Sequence, residues 1–148
     1  MLQKLKALFA DPDQAAEPSQ SDVELAAASL MFELIKSDGL VDPVEMEKLA
    51  EILKSKFNLD SQSIEELVQQ AQKSVDEAIS LHGFTRKICE TWNNEQRVML
   101  LESLWMLALA DQHIDAHERH LVRKVAGLLY LTDRQINLAK ESAISRMA

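Results

Sequence analysis

Apolar residues recur three and four positions apart along most of the chain, the spacing that lines up one side of an α-helix. Val23, Ala26, Ala27, Leu30, Met31, Leu34 and Ile35 predict a first core helix from about Asp22 to Ser37, with Gly39 just past its end. A second starts at Pro43, turns Leu49, Ile52, Leu53 and Phe57 inward and stops near Asn58. A third runs from about Ser61 to Leu81 and closes at His82-Gly83. Phe84 to Thr91 reads as a short connecting helix. A long helix capped by Asn93 or Asn94 then carries Val98, Leu101, Leu104, Trp105 and Ala108. Helices from Ala116 to Leu129 and from Asp133 to Met147 follow, the last opened by Thr132 with Gln135 as a capping box.

Ahead of these, Leu2, Leu5, Leu8 and Phe9 fall on one side of a short amphipathic helix with Lys4 and Lys6 opposite. The stretch from Ala10 to Ser21, with Pro12 and Pro18 among Asp, Gln, Glu and Ser, has linker composition. The division expected is a tethered segment over 1–21 and a helical domain over 22–148.

One acidic pattern occurs twice within this helical series. Asp38-Gly-Leu-Val-Asp42-Pro-Val-Glu45 returns as Asp111-Gln-His-Ile-Asp115-Ala-His-Glu118. A shift of 73 positions superposes the three carboxylates and also pairs Met31 with Leu104, Phe32 with Trp105, Leu34 with Leu107, Leu49 with Val122 and Phe57 with Tyr130. The expectation is an all-α domain of about seven helices built from two duplicated three-helix halves, about 22–83 and 84–148.

Composition agrees with this pattern. A chain of 148 residues with only three Gly and three Pro is rich in helix formers and poor in breakers. It is long enough to bury roughly 70% of the surface its unfolded form exposes. The single Cys89 makes no internal disulfide, and no export leader is visible, so the expected location is cytoplasmic. The longest apolar stretch, Leu104 to Ala110, is far short of the roughly 20 residues that span a bilayer. A net charge of -8 argues against nucleic acid as a partner. Residues 1–84 hold 7 basic and 16 acidic groups, whereas 85–148 hold 9 and 8, so the acidic half suits cations or a basic protein partner.

The acidic junctions have a simple structural reading. Asp42 at an N-cap, Pro43 at the first helical position and Glu45 at the third form a capping box, and Asp115 with Glu118 repeats it. Such a cap is worth on the order of 1 kcal/mol without any ligand. Capping leaves Asp38 and Asp111 unexplained, because a helix C-terminus disfavours negative charge. A shared cation, or an Arg or Lys from a neighbouring helix, would compensate. Calcium and magnesium prefer such oxygen donors. The pattern matches the second half of an EF-hand loop, but Leu34, Lys36, Leu107 and Leu109 stand where the first and third ligands belong, so a true EF-hand is rejected.

These same runs, Ser37-Asp38-Gly39-Leu40-Val41-Asp42-Pro43-Val44-Glu45 and Ala110-Asp111-Gln112-His113-Ile114-Asp115-Ala116-His117-Glu118, resemble the signature of the TerB-like (tellurite-resistance TerB) family. Glu95-Gln96-Arg97 to Leu107-Ala-Leu-Ala110 is similar to the helix that precedes it, and the resemblance covers about residues 22–147. It implies an all-helical domain with duplicated halves and an acidic surface proposed in the family to hold divalent cations. The positions carried over are Asp38, Asp42, Glu45, Asp111, Asp115 and Glu118. Gln112 departs from the glycine of the first copy. Related domains accompany chaperone J-domains, but no His-Pro-Asp tripeptide is present here.

Other chemistry is sparse. His113, His117 and His120, with Asp111 or Glu118, have zinc-ligand character, yet the first copy carries Leu40, Val44 and Glu47 instead, and they read as surface histidines. Cys89 reads as packing, Trp92 and Trp105 as core, and Arg97 as a partner for Glu102 or a loop carboxylate. No P-loop, dinucleotide fingerprint, nucleophile elbow or zinc-protease pair occurs.

The reading that follows is a non-enzymatic cytoplasmic helical module whose duplicated acidic loops bind a divalent cation such as Ca2+ or Mg2+, or a protein partner, in a stress response of the tellurite type. Two alternatives stand beside it. One is a metal-assisted hydrolase using the same carboxylates. The other is a structural adaptor that engages a partner through Met1 to Phe9.

Overall fold

The computed structural model describes residues 20–36, 41, 43–77, 80–110 and 116–147. The expected N-terminal helix, residues 10–19 of the expected linker and the aspartates of both acidic junctions lie outside these residues, whereas Gln20 and Ser21, expected in the linker, open the first core helix. Seven helices are present among the described residues, with no strands: α1 (Gln20–Ile35), α2 (Pro43–Phe57), α3 (Ser61–Asp76), α4 (Leu81–Thr91), α5 (Asn94–Ala108), α6 (Ala116–Leu128) and α7 (Asp133–Met147).

Two helices form the centre. The repeat of apolar residues in α1 predicts one inward face, yet α1 is buried nearly all round, from Ala26 through Phe32 without a break. The same holds for α5 from Leu100 to Ala108. A helix apolar on every side needs neighbours on every side. The packing supplies them, since α1 touches α2, α3, α4, α5 and α6, and α5 touches α1, α2, α6 and α7. Ser29 and Ser103 sit inside these helices because each hydroxyl donates back to a carbonyl four residues earlier, at 2.7 and 3.0 Å.

The packing pattern is exchanged between the two parts of the chain. α2 and α3 lie on α1 as α6 and α7 lie on α5, while α2 also reaches α5 and α6 also reaches α1. The helix starts Pro43 and Ala116, the ends Ile35 and Ala108, and the buried pairs Glu45/Glu118, Leu49/Val122, Ile52/Val125 and Leu53/Ala126 all stand 73 residues apart. α4 has no counterpart among the described residues and bridges α1 to α6. Phe57 and Tyr130 match in sequence but not in environment. Phe57 stacks on Trp92, ring centres 5.8 Å apart, whereas Tyr130 is 76% exposed.

Most boundaries follow local chemistry. Asp60 caps α3 by accepting from the Ser63 amide at 2.8 Å, a bond that holds its carboxyl below the usual range. Asn93 with Gln96, and Thr132 with Gln135, close reciprocal capping boxes on α5 and α7. Asn58 ends α2 in the left-handed region, at φ 55°.

One boundary corrects the sequence reading. The third helix stops at Asp76, and His82-Gly83 belongs to the first turn of the next helix rather than to a C-terminus. Ser80 decides this, because its hydroxyl accepts the Gly83 amide at 3.1 Å and so caps α4.

Candidate functional site: the acidic junctions

Glu45 and Glu118 are the two candidate ligands that fall among the described residues. With Pro43 and Ala116 as first helical residues, each glutamate occupies the third position of its helix, the place a capping box requires. Both are buried, at 3% and 4% exposure, although the residues around them, Pro43, Val44, Ala116 and His117, are exposed. Val41 and Val44 are about half exposed beside Glu45. Asp38, Asp42, Asp111 and Asp115 lie outside the described residues. A carboxylate kept inside a protein costs several kcal/mol unless hydrogen-bond donors or a cation compensate it. The helix N-terminus contributes amides and a favourable dipole at both places. Carboxylate oxygens are hard donors, so the chemistry of the set suits calcium or magnesium better than a soft metal.

Two of the three clustered histidines are described. His117 and His120 are exposed while Glu118 between them is buried, so the two rings and that carboxylate face different ways. His113 lies outside the described residues. Among the described residues, no group of three or more His, Cys, Asp or Glu is placed to hold a metal ion.

Two polar clusters elsewhere were not anticipated. Glu102, on α5, accepts from Lys56 of α2 at 3.1 Å and from the Arg146 guanidinium of α7, while Ser142 donates to its second oxygen at 3.0 Å. Arg97 was expected to pair with Glu102 or a loop carboxylate; among the described residues it pairs with no carboxylate. Its guanidinium donates to the carbonyls of Trp92 at 3.1 Å, Cys89 at 3.0 Å and Leu129 at 3.5 Å. Those carbonyls end α4 and α6, where the backbone carries partial negative charge, so one cation closes two helices. Cys89 joins the same junction by donating its thiol to the Leu128 carbonyl at 3.7 Å, and burial pushes that thiol up from its ordinary value. The sequence carried a usable signal for Arg97, a lone Arg just inside α5 beside two helix ends, but nothing to choose carbonyls over a carboxylate.

A family model described as Tellurite resistance protein TerB matches residues 24–141, which takes in both acidic junctions and runs from α1 into α7. The chain belongs to the TerB family. Its all-helical architecture is that of TerB, and no helix among the described residues is long and apolar enough to cross a membrane. Comparison with curated proteins gives no significant match, and comparison with solved structures gives none either. Within this TerB domain, Glu45 and Glu118 are the junction positions whose burial is on view.

Proposed function

We propose that this TerB domain is a non-enzymatic module whose two acidic junctions hold a divalent cation weakly, or offer the same charge to a protein partner, in a cytoplasmic stress response of the tellurite type. The observation that carries the reading is the burial of Glu45 and Glu118 at matching positions of α2 and α6. Asp38, Asp42, Asp111 and Asp115 would complete the two ligand sets, and an ion bound there would neutralise charge at the ends of α1 and α5. Calcium and magnesium fit the donors, with water filling the remaining positions.

The test is a titration of the whole chain with calcium, magnesium, manganese and zinc, followed by NMR and calorimetry. Amide shifts confined to the two junctions, lost in the Asp38→Asn, Asp111→Asn double variant, are expected. Absence of shifts at millimolar metal would reduce the carboxylates to helix caps. Metal-dependent hydrolysis of a generic phosphoester would instead move the chain into the enzyme class.

A further inference from the structure

The exposed side of α6 carries charge of one sign. Arg119, Arg123 and Lys124 are exposed there together with His117 and His120, and the helix's lone acid, Glu118, is buried on the other side. Ion pairs among the described residues involve none of these three cations. In a chain of net charge -8 this is a concentrated positive face. It is not demanded by the fold. The residues 73 positions earlier on α2 are Met46, Ala50 and Glu51, with Glu47 opposite His120, although the buried positions of the two helices match. Nor does helix electrostatics account for it, because the last turn of α6, where a cation would be favoured, has no basic residue.

A second feature directly follows α6 in the chain. Tyr130, directly after α6, has φ 58°, and its amide donates to Gly127 while the Leu131 amide reaches back to Ala126, the bonding of a Schellman end. Glycine is the usual residue at that place, and a tyrosine there carries backbone strain of about 1 kcal/mol. With 76% of Tyr130 exposed, burial does not repay the strain. Arginine and tyrosine are, with tryptophan, enriched among the residues that dominate protein–protein binding.

We propose that the α6 face with Tyr130 docks an acidic segment of a partner protein, one that presents Asp or Glu at helical spacing. Arg119 and Arg123 are one helical turn apart, a rise of about 6 Å, which matches carboxylates four residues apart on a facing helix. Guanidinium groups bind carboxylates in pairs of parallel hydrogen bonds. Nucleic acid fits less well, because three fixed cations are few and the rest of the chain repels phosphate. A lipid surface also fits less well. The large apolar side chains of α6, Leu121 and Leu128, are half-buried, and no apolar wedge stands on its exposed side.

The experiment measures anisotropy of a labelled peptide with glutamate at every fourth position, added to the full chain at low salt. Saturable binding is expected, weakened about tenfold or more by Arg119→Glu with Arg123→Glu and left within about twofold by Lys54→Glu with Lys87→Glu. Tyr130→Gly is expected to weaken binding several-fold without lowering the melting temperature, which separates docking from folding. The proposal is overturned if the wild-type chain does not bind the peptide, if the Arg119/Arg123 variant binds equally well, or if oligo-dT or vesicles of phosphatidylcholine with phosphatidylglycerol bind as tightly as the peptide.

Discussion

Lys56 donates to Glu102 across 3.1 Å, so a side chain from the second helix is fastened to the central helix of the other half of the domain. Both side chains are largely buried, at 15% and 11% exposure, and Arg146 and Ser142 of the last helix close on the same carboxylate. Removing one member of such a buried group leaves the others uncompensated, which costs about 3 to 5 kcal/mol. Glu102→Ala is therefore expected to destabilise the domain by about 3 kcal/mol, read by urea unfolding. Glu102→Gln should recover part of that, because it still accepts a hydrogen bond. A loss under about 0.5 kcal/mol for the alanine variant would show that the pair is ornamental.

Arg97 supports a different junction, and its removal should act locally as well as globally. Hydrogen bonds from a charged donor contribute about 1.5 to 3 kcal/mol, and three carbonyls depend on this guanidinium. Arg97→Ala is expected to cost about 2 to 4 kcal/mol and to speed amide exchange at the ends of α4 and α6 before it does so elsewhere. Arg97→Lys should restore little, since an ammonium cannot reach three carbonyls set around a planar fork. Equal exchange protection in Arg97→Ala and the unaltered chain would refute this role.

These two clusters also mark where sequence reading stopped. Helix type, number and most ends were legible because caps are local: Asn93 with Gln96 and Thr132 with Gln135 stand three residues apart and need nothing distant. Gly83 misled because glycine serves both at helix ends and within first turns, and only the Ser80 hydroxyl distinguishes the cases. Glu102 meets partners 40 and 46 residues away, a relation no local pattern encodes. At the acidic junctions the spacing placed Glu45 and Glu118 at third helical positions, but their burial depends on the packing of α2 and α6 across both central helices.

Glu33 supplies a pH prediction. Burial near the end of α1 pushes its carboxyl above the ordinary value, against a smaller opposing effect of Lys36. The folded state thus holds this proton more tightly than the unfolded state does. The resulting contribution to stability is complete below the unfolded pKa and is lost as pH rises through the folded one. Glu33→Gln should therefore be more stable than the unaltered chain at neutral pH, with the advantage shrinking towards acid. Melting curves collected from neutral to acidic pH would test this, and a difference that grows as pH falls would contradict it.

Glu45→Gln and Glu118→Gln separate capping from cation binding. Glutamine fills the third position of a capping box as glutamate does, because either side chain can accept the N-cap amide. If capping is the whole role, the double variant should change stability by less than about 1 kcal/mol and alter nothing else. If the two carboxylates also meet a cation, the same variant should fold equally well yet lose the metal-induced amide shifts at both junctions. Calcium titration of the double variant followed by NMR decides between these outcomes, with thermal melting as the control for folding. Shifts that persist unchanged would remove Glu45 and Glu118 from the ligand set and leave any ion to the aspartates alone.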